Sequence, residues 1–124
     1  MEVYGKTVHD LFANAAFALF DIITDLSTIE TTNERKLVVE GSGWEDLFVN
    51  YLREILYLFN GEGLLLKEYS ILTIEPFYLE ATVKGEPFDP ARHSIKTEIK
   101  AVTYHQLNVR EDADKWTGRV IFDV

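Results

Sequence analysis

The chain contains no cysteine, one methionine and only three prolines in its 124 residues. Without cysteine there is no disulfide framework, no thiolate nucleophile and no thiolate zinc site. No stretch approaches the roughly 18 apolar residues that span a bilayer. The N-terminus lacks a basic stretch followed by an apolar one, so neither a membrane span nor a signal peptide is expected, and the lack of cysteine fits a cytoplasmic protein. Basic residues are also scarce. Twelve Lys and Arg stand against 21 Asp and Glu, a net charge of −9. Phosphate backbones are held by clustered Lys and Arg, so strong direct binding of nucleic acid is not expected; docking on a basic protein partner suits this charge better.

Signatures of catalysis are missing as well. Gly61-Glu62-Gly63 has neither the further glycines nor the strand-to-helix context of a dinucleotide or phosphate loop. There is no nucleophile elbow and no carboxylate pair in a recognisable frame. His9, His93 and His105 lack metal-ligand spacing. The chain reads as a non-enzyme.

What the sequence does hold is patterning for one compact domain over residues 1–124, with 47% hydrophobic residues. Thr7 is an N-cap with Asp10 three residues on. Behind it Val8, Leu11, Phe12, Ala15, Ala16, Leu19, Ile22, Ile23 and Leu26 recur at helical spacing. A second helix reads from a Ser42 cap with Glu45 at its third position. Its stripe runs through Trp44, Leu47, Phe48, Tyr51, Leu52, Ile55, Leu56 and Phe59 to a stop at Gly61 or Gly63. Strands read at 36–40, 64–75 and 77–84. No internal repeat, linker or low-complexity segment is read. The expected fold is α+β: two amphipathic helices packed on a mainly antiparallel or mixed β-sheet.

The last third carries the densest signal. From Ile95 to Val109 the odd positions Ile95, Ile99, Ala101, Leu107 and Val109 are apolar. From Trp116 on, the even positions Trp116, Val120, Phe122 and Val124 are. Glu111-Asp112-Ala113-Asp114 reads as the turn between, which explains Asp112 and Asp114 without a metal. A symmetric turn pairs Val109 with Trp116, Thr103 with Phe122 and Ala101 with Val124, and sets Gln106 opposite Arg119. Lys100 then neighbours Asp123 and the terminal carboxylate, a small ionisable cluster at a sheet margin. By the same parity His105 lies on the apolar face, as a hydrogen-bonded core histidine.

These residues, with Tyr4-Gly5-Lys6-Thr7, the Leu11-Phe12-Ala13-Asn14-Ala15-Ala16 block and Gly85-Glu86-Pro87-Phe88-Asp89 ahead of Arg92-His93, resemble the archease family over nearly the whole chain. The resemblance implies an accessory protein of the GTP-dependent tRNA-splicing RNA ligase, one that promotes its guanylylation and multiple turnover. It also implies a divalent metal, calcium or manganese, held by an aspartate of an N-terminal His-Thr-Ala-Asp motif, by the aspartate of the final residues and by the last residue itself. Asp123 and Val124 match the latter two. The first motif is absent, which leaves a trimmed start, a lost site or a replacement carboxylate; the trimmed start is the expectation.

Lys100, by default an edge-blunting surface charge, gains a functional reading only from that resemblance. Arg92 and His93 read as solvated loop residues, with a contact edge for the ligase as the functional alternative. A different class of function, a general chaperone-like protein-binding module, would instead use exposed apolar side chains around Phe17, Phe20 or Tyr57.

Overall fold

The computed structural model describes residues 1–124. In chain order the elements are β1 (Glu2–Gly5), α1 (Val8–Ile23), a short 3-10 turn (Leu26–Thr28), β2 (Asn33–Glu40), α2 (Trp44–Asn60), β3 (Leu64–Glu75), β4 (Tyr78–Pro87), β5 (Ala101–Glu111) and β6 (Trp116–Asp123). The fold is α+β, as expected. Its strands form two antiparallel three-stranded sheets, ordered β1-β6-β5 and β2-β4-β3, rather than one sheet. Neither helix is long and apolar enough to cross a membrane.

The two sheets expose a relationship that residue periodicity alone did not reveal. Each is a strand followed by a helix, with the strand returning to pair with the second arm of a hairpin: β1 on β6, β2 on β4. The second unit is inserted whole between the helix and the hairpin of the first. Val3, Gly5, Asp10, Leu11, Phe12 and Asn14 recur at the same spacing as Val39, Gly41, Asp46, Leu47, Phe48 and Asn50. Matching residues do matching work. Asn14 Nδ2 donates to the Tyr4 carbonyl at 2.8 Å and Asn50 Nδ2 to the Glu40 carbonyl at 2.9 Å, each tying a helix to its own strand. A Cβ on Gly5 would collide with the Leu11 backbone, and one on Gly41 with that of Leu47, so both turns need glycine for close approach. The chain therefore contains an internal repeat, contrary to expectation. It was missed because half of the matching positions are loop or polar and the hairpins share no residues.

The helix starts follow local chemistry. Thr7 caps α1, its hydroxyl accepting from Asp10 N–H at 3.1 Å. At α2 the cap is Gly43, one residue later than expected. Ser42 instead donates its N–H and hydroxyl to Asp46, at 2.8 and 3.2 Å. Between the helices lies one apolar core. Phe12 is the centre of an aromatic cluster, edge-on to Phe48 with ring centroids 5.1 Å apart and tilted against Tyr51 at 5.3 Å. Burial of each such ring removes some 150–250 Å² from water and dominates the local energetics. Phe20, expected as a member of an exposed edge, is fully buried, whereas Phe17 and Tyr57 are half exposed.

The β5–β6 hairpin forms with a different register from the symmetric one. Its turn is Asp112–Lys115, closed by Asp112 N–H to Lys115 O at 2.8 Å, so Glu111 faces Trp116 and Val109 faces Gly118. A wide bulge follows between Thr103 and Asn108, and Ala101 ends opposite Asp123. Ile95, read as strand, makes only an isolated bridge to Thr24.

Candidate functional site

The sheet margin comes first. β6 carries Asp123 to its end, and Lys100 N–H donates to the Asp123 carbonyl at 2.7 Å. Lys100, Asp123 and Val124 are all exposed. The contact between Lys100 and Asp123 is thus made by backbone, and neither side chain is in an ion pair within the chain. Asp123 brings one hard oxygen donor, its side-chain carboxylate, to the exposed end of β6. No group of three His, Cys, Asp or Glu gathers anywhere in the fold. A calcium-type ion takes six to eight oxygens, so the residues present do not make a complete site on their own.

His105 is corrected by the bulge. The extra residues between Thr103 and Asn108 turn it off the apolar face and leave it exposed. Gln106 beside it adopts φ 52°, the left-handed region that costs an ordinary residue about 1 kcal/mol. Three contacts hold this conformation. Arg119 Nη2 donates to Gln106 Oε1 at 2.6 Å, Tyr104 Oη to Asp46 Oδ1 at 3.0 Å, and Arg53 lies 4.6 Å over the Tyr104 ring. The Ser42 N–H and the Tyr104 hydroxyl hold the Asp46 carboxyl below the usual range. Gln106 and Arg119 meet as parity predicted, though by way of the bulge rather than a regular ladder.

The second correction concerns the loop after β4. β4 continues through Gly85 and Glu86, and His93 is buried rather than solvated. Arg92 clasps Glu86 with both terminal nitrogens, Nη1 to Oε1 at 2.7 Å and Nη2 to Oε2 at 2.8 Å. Glu30 N–H donates to Oε2 at 2.6 Å, and His93 Nε2 lies 3.2 Å from the same oxygen. Asp89 N–H donates to His93 Nδ1 at 2.9 Å, so the ring proton sits on Nε2, facing Glu86. The Arg92 fork, with the Glu30 amide, drives the Glu86 carboxyl down to about 2. Both Glu86 carboxylate oxygens and both His93 ring nitrogens are matched inside the chain. Arg92 and His93 tie the crossover from β4 to β5 onto Glu86, His93 from a buried position and Arg92 from an exposed one. Glu86 was missed as their anchor because a glutamate before a proline in a loop-like stretch looks solvated.

Against this geometry the comparisons with known proteins are direct. The family model described as "Archease protein family (MTH1598/TM1083)" matches residues 1–124. The chain belongs to the archease family. The protein archease of Methanopyrus kandleri is 34% identical over 125 residues, covering 98% of this chain and 89% of that protein. The protein archease of Pyrococcus furiosus is also 34% identical, over 98% of this chain and 88% of that protein. Among solved structures, the solution structure of Methanobacterium thermoautotrophicum protein 1598 superposes with a TM-score of 0.83 at 29% identity, covering 99% of this chain and 89% of that one. Archease membership supports a role as an accessory protein of RNA processing.

Proposed function

We propose that this chain is a non-enzymatic activator of the GTP-dependent tRNA-splicing RNA ligase, promoting its guanylylation and multiple turnover. The observation that carries the reading is the full-length archease match together with an exposed margin where Lys100, Asp123 and Val124 lie side by side. A divalent ion, calcium or manganese, is part of the proposal: Asp123 and Val124 supply two of its donors and water or the ligase the others. The charge of −9 supports approach to a basic protein surface rather than to RNA.

The test is multiple-turnover ligation of tRNA halves by the cognate ligase, with and without this chain. A rise in turnover is expected; an unchanged rate overturns the proposal. The chaperone-like alternative loses one of its three named residues, since Phe20 is buried while Phe17 and Tyr57 are exposed on separate helices.

A further inference from the structure

The groove between α2 and the first residues of β5 is lined by Arg53, Leu56, Tyr57, Asn60 and Lys100 and holds about 300 Å³. We propose that it is the surface on which a carboxylate flanked by apolar side chains, contributed by the protein partner, docks. The inference rests on the activator reading and names the chemistry of the contact.

The cations come first. In a chain with 21 acidic residues, neither Arg53 nor Lys100 makes an ion pair with any of them. Arg53 is nevertheless fixed in place. Its Nε donates to the Val102 carbonyl at 3.2 Å and its Nη1 to Tyr104 Oη at 3.5 Å, which leaves Nη2 without a partner in the chain. A guanidinium so oriented has already lost the side-chain freedom that binding would otherwise cost. Asn60 is fixed likewise, Nδ2 on the Ile99 carbonyl at 3.0 Å, with its Oδ1 left over.

The apolar wall is fixed too. Tyr57 is 55% exposed, yet its ring packs against Gly61, where a Cβ would collide with Cε1, Cδ1 and Cζ. Leu56 forms the buried floor. A large aromatic ring held against backbone beside two unpaired cations is the make-up of a contact hot spot.

The internal repeat supplies the control. The positions on α1 that match Arg53, Leu56 and Asn60 are Phe17, Phe20 and Thr24. There Phe20 is fully buried, with Phe59 edge-on at 6.3 Å, and no cavity opens. The groove on α2 is therefore not a by-product of the repeated architecture. On α2, Arg53 stands in place of the half-exposed Phe17 and Leu56 in place of the larger, buried Phe20.

The charge around the groove selects the occupant. Glu54 flanks Arg53 on α2, and Asp123 faces Ala101 across the sheet. A nucleic-acid strand brings a negative charge at every nucleotide past these carboxylates and the −9 of the whole chain. One carboxylate on a peptide brings a single charge to the two cations and its neighbours to Tyr57 and Leu56.

The experiment replaces Tyr57 with the photocrosslinker p-benzoylphenylalanine and irradiates the chain with its cognate ligase and tRNA. Crosslinks to a ligase peptide holding Asp or Glu beside apolar residues are expected. Crosslinks to tRNA, or none, overturn the proposal. Separately, Tyr57→Ala should weaken ligase binding about tenfold and Tyr57→Phe leave it nearly unchanged. Lys100→Glu should be rescued by a charge-reversed ligase residue from the crosslinked peptide. If the wild-type chain accelerates ligation while Tyr57→Ala binds normally, the groove is wrong and the activator reading stands. If the wild-type chain does not accelerate ligation, the activator reading itself fails.

Discussion

Phe12 and Phe48 occupy matching positions in the two repeats and meet each other edge to face, 5.1 Å apart with an interplanar angle of 80°. The halves are joined through the very residue they share. Each ring is fully buried, so each truncation to alanine should cost about 3–5 kcal/mol. Because the rings touch, the double variant should lose less than the sum of the singles, by about 0.5–1.5 kcal/mol. Denaturant unfolding of the four proteins checks this. Strict additivity would mean that the repeats are stabilised independently.

Tyr51 tests the same core from another side. It fills the place of the small Ala15 in the twin and brings a hydroxyl that is buried with no hydrogen-bond partner. Burial pushes its phenol pKa upward. Removing an orphaned buried hydroxyl recovers its desolvation penalty, about 1 kcal/mol or more. Tyr51→Phe should therefore raise thermal stability by several degrees; a clear loss of stability would show that the hydroxyl has a partner in solution.

The fold was legible in the sequence where pattern is local. The Thr7 cap, both apolar stripes and the 64–75 strand follow from spacing and match the structure. The hairpin register was not legible, because its turn sits one residue later and the bulge after Thr103 depends on Asp46 and Arg53, both remote in sequence, as well as on Arg119 of the same hairpin. The same holds for the Glu86 cluster: its fourth member is the Glu30 amide, which only the packing of β2 against β4 brings within reach. Of the margin, the adjacency of Lys100 and Asp123 was legible; the backbone nature of their contact was not.

The Glu86 cluster carries a pH signature. Its carboxyl lies at about 2 in the folded chain, below the ~4.3 of an unfolded glutamate. A group depressed in this way stabilises the fold fully above about pH 4.3, progressively less as pH falls toward 2, and not at all below that. Glu86→Gln should therefore unfold at a clearly lower temperature than wild type at pH 7, with the gap closing between pH 4 and pH 2. Thermal melts across that range measure it. A gap that stays constant to pH 2 would assign the loss to packing rather than to charge.

The bulge predicts a separation of stability from contact. Tyr104→Phe removes the hydroxyl that donates to Asp46 at 3.0 Å but keeps the ring under Arg53, so about 1 kcal/mol should be lost. His105→Ala touches no such contact and, being exposed, should change stability by less than about 0.5 kcal/mol. Chemical denaturation distinguishes the two. An equal loss from both would place His105 inside the network that holds the bulge.

Asp123 is the residue on which the proposed activity turns. It is exposed, pairs through its backbone with Lys100 and Ala101, and makes no side-chain contact that supports the fold. Asp123→Ala should thus melt as wild type does. If its carboxylate serves a metal, losing that hard donor should cut multiple-turnover ligation about 10- to 100-fold. Asp123→Glu, which keeps the charge but moves it outward, should recover part of the loss. Calorimetric titration with calcium or manganese in the presence of the ligase gives the second readout, since weakened binding in Asp123→Ala must accompany the lost turnover. Full turnover from a normally folded Asp123→Ala protein would remove the Asp123 carboxylate from the mechanism and leave the α2–β5 groove as the remaining contact to pursue.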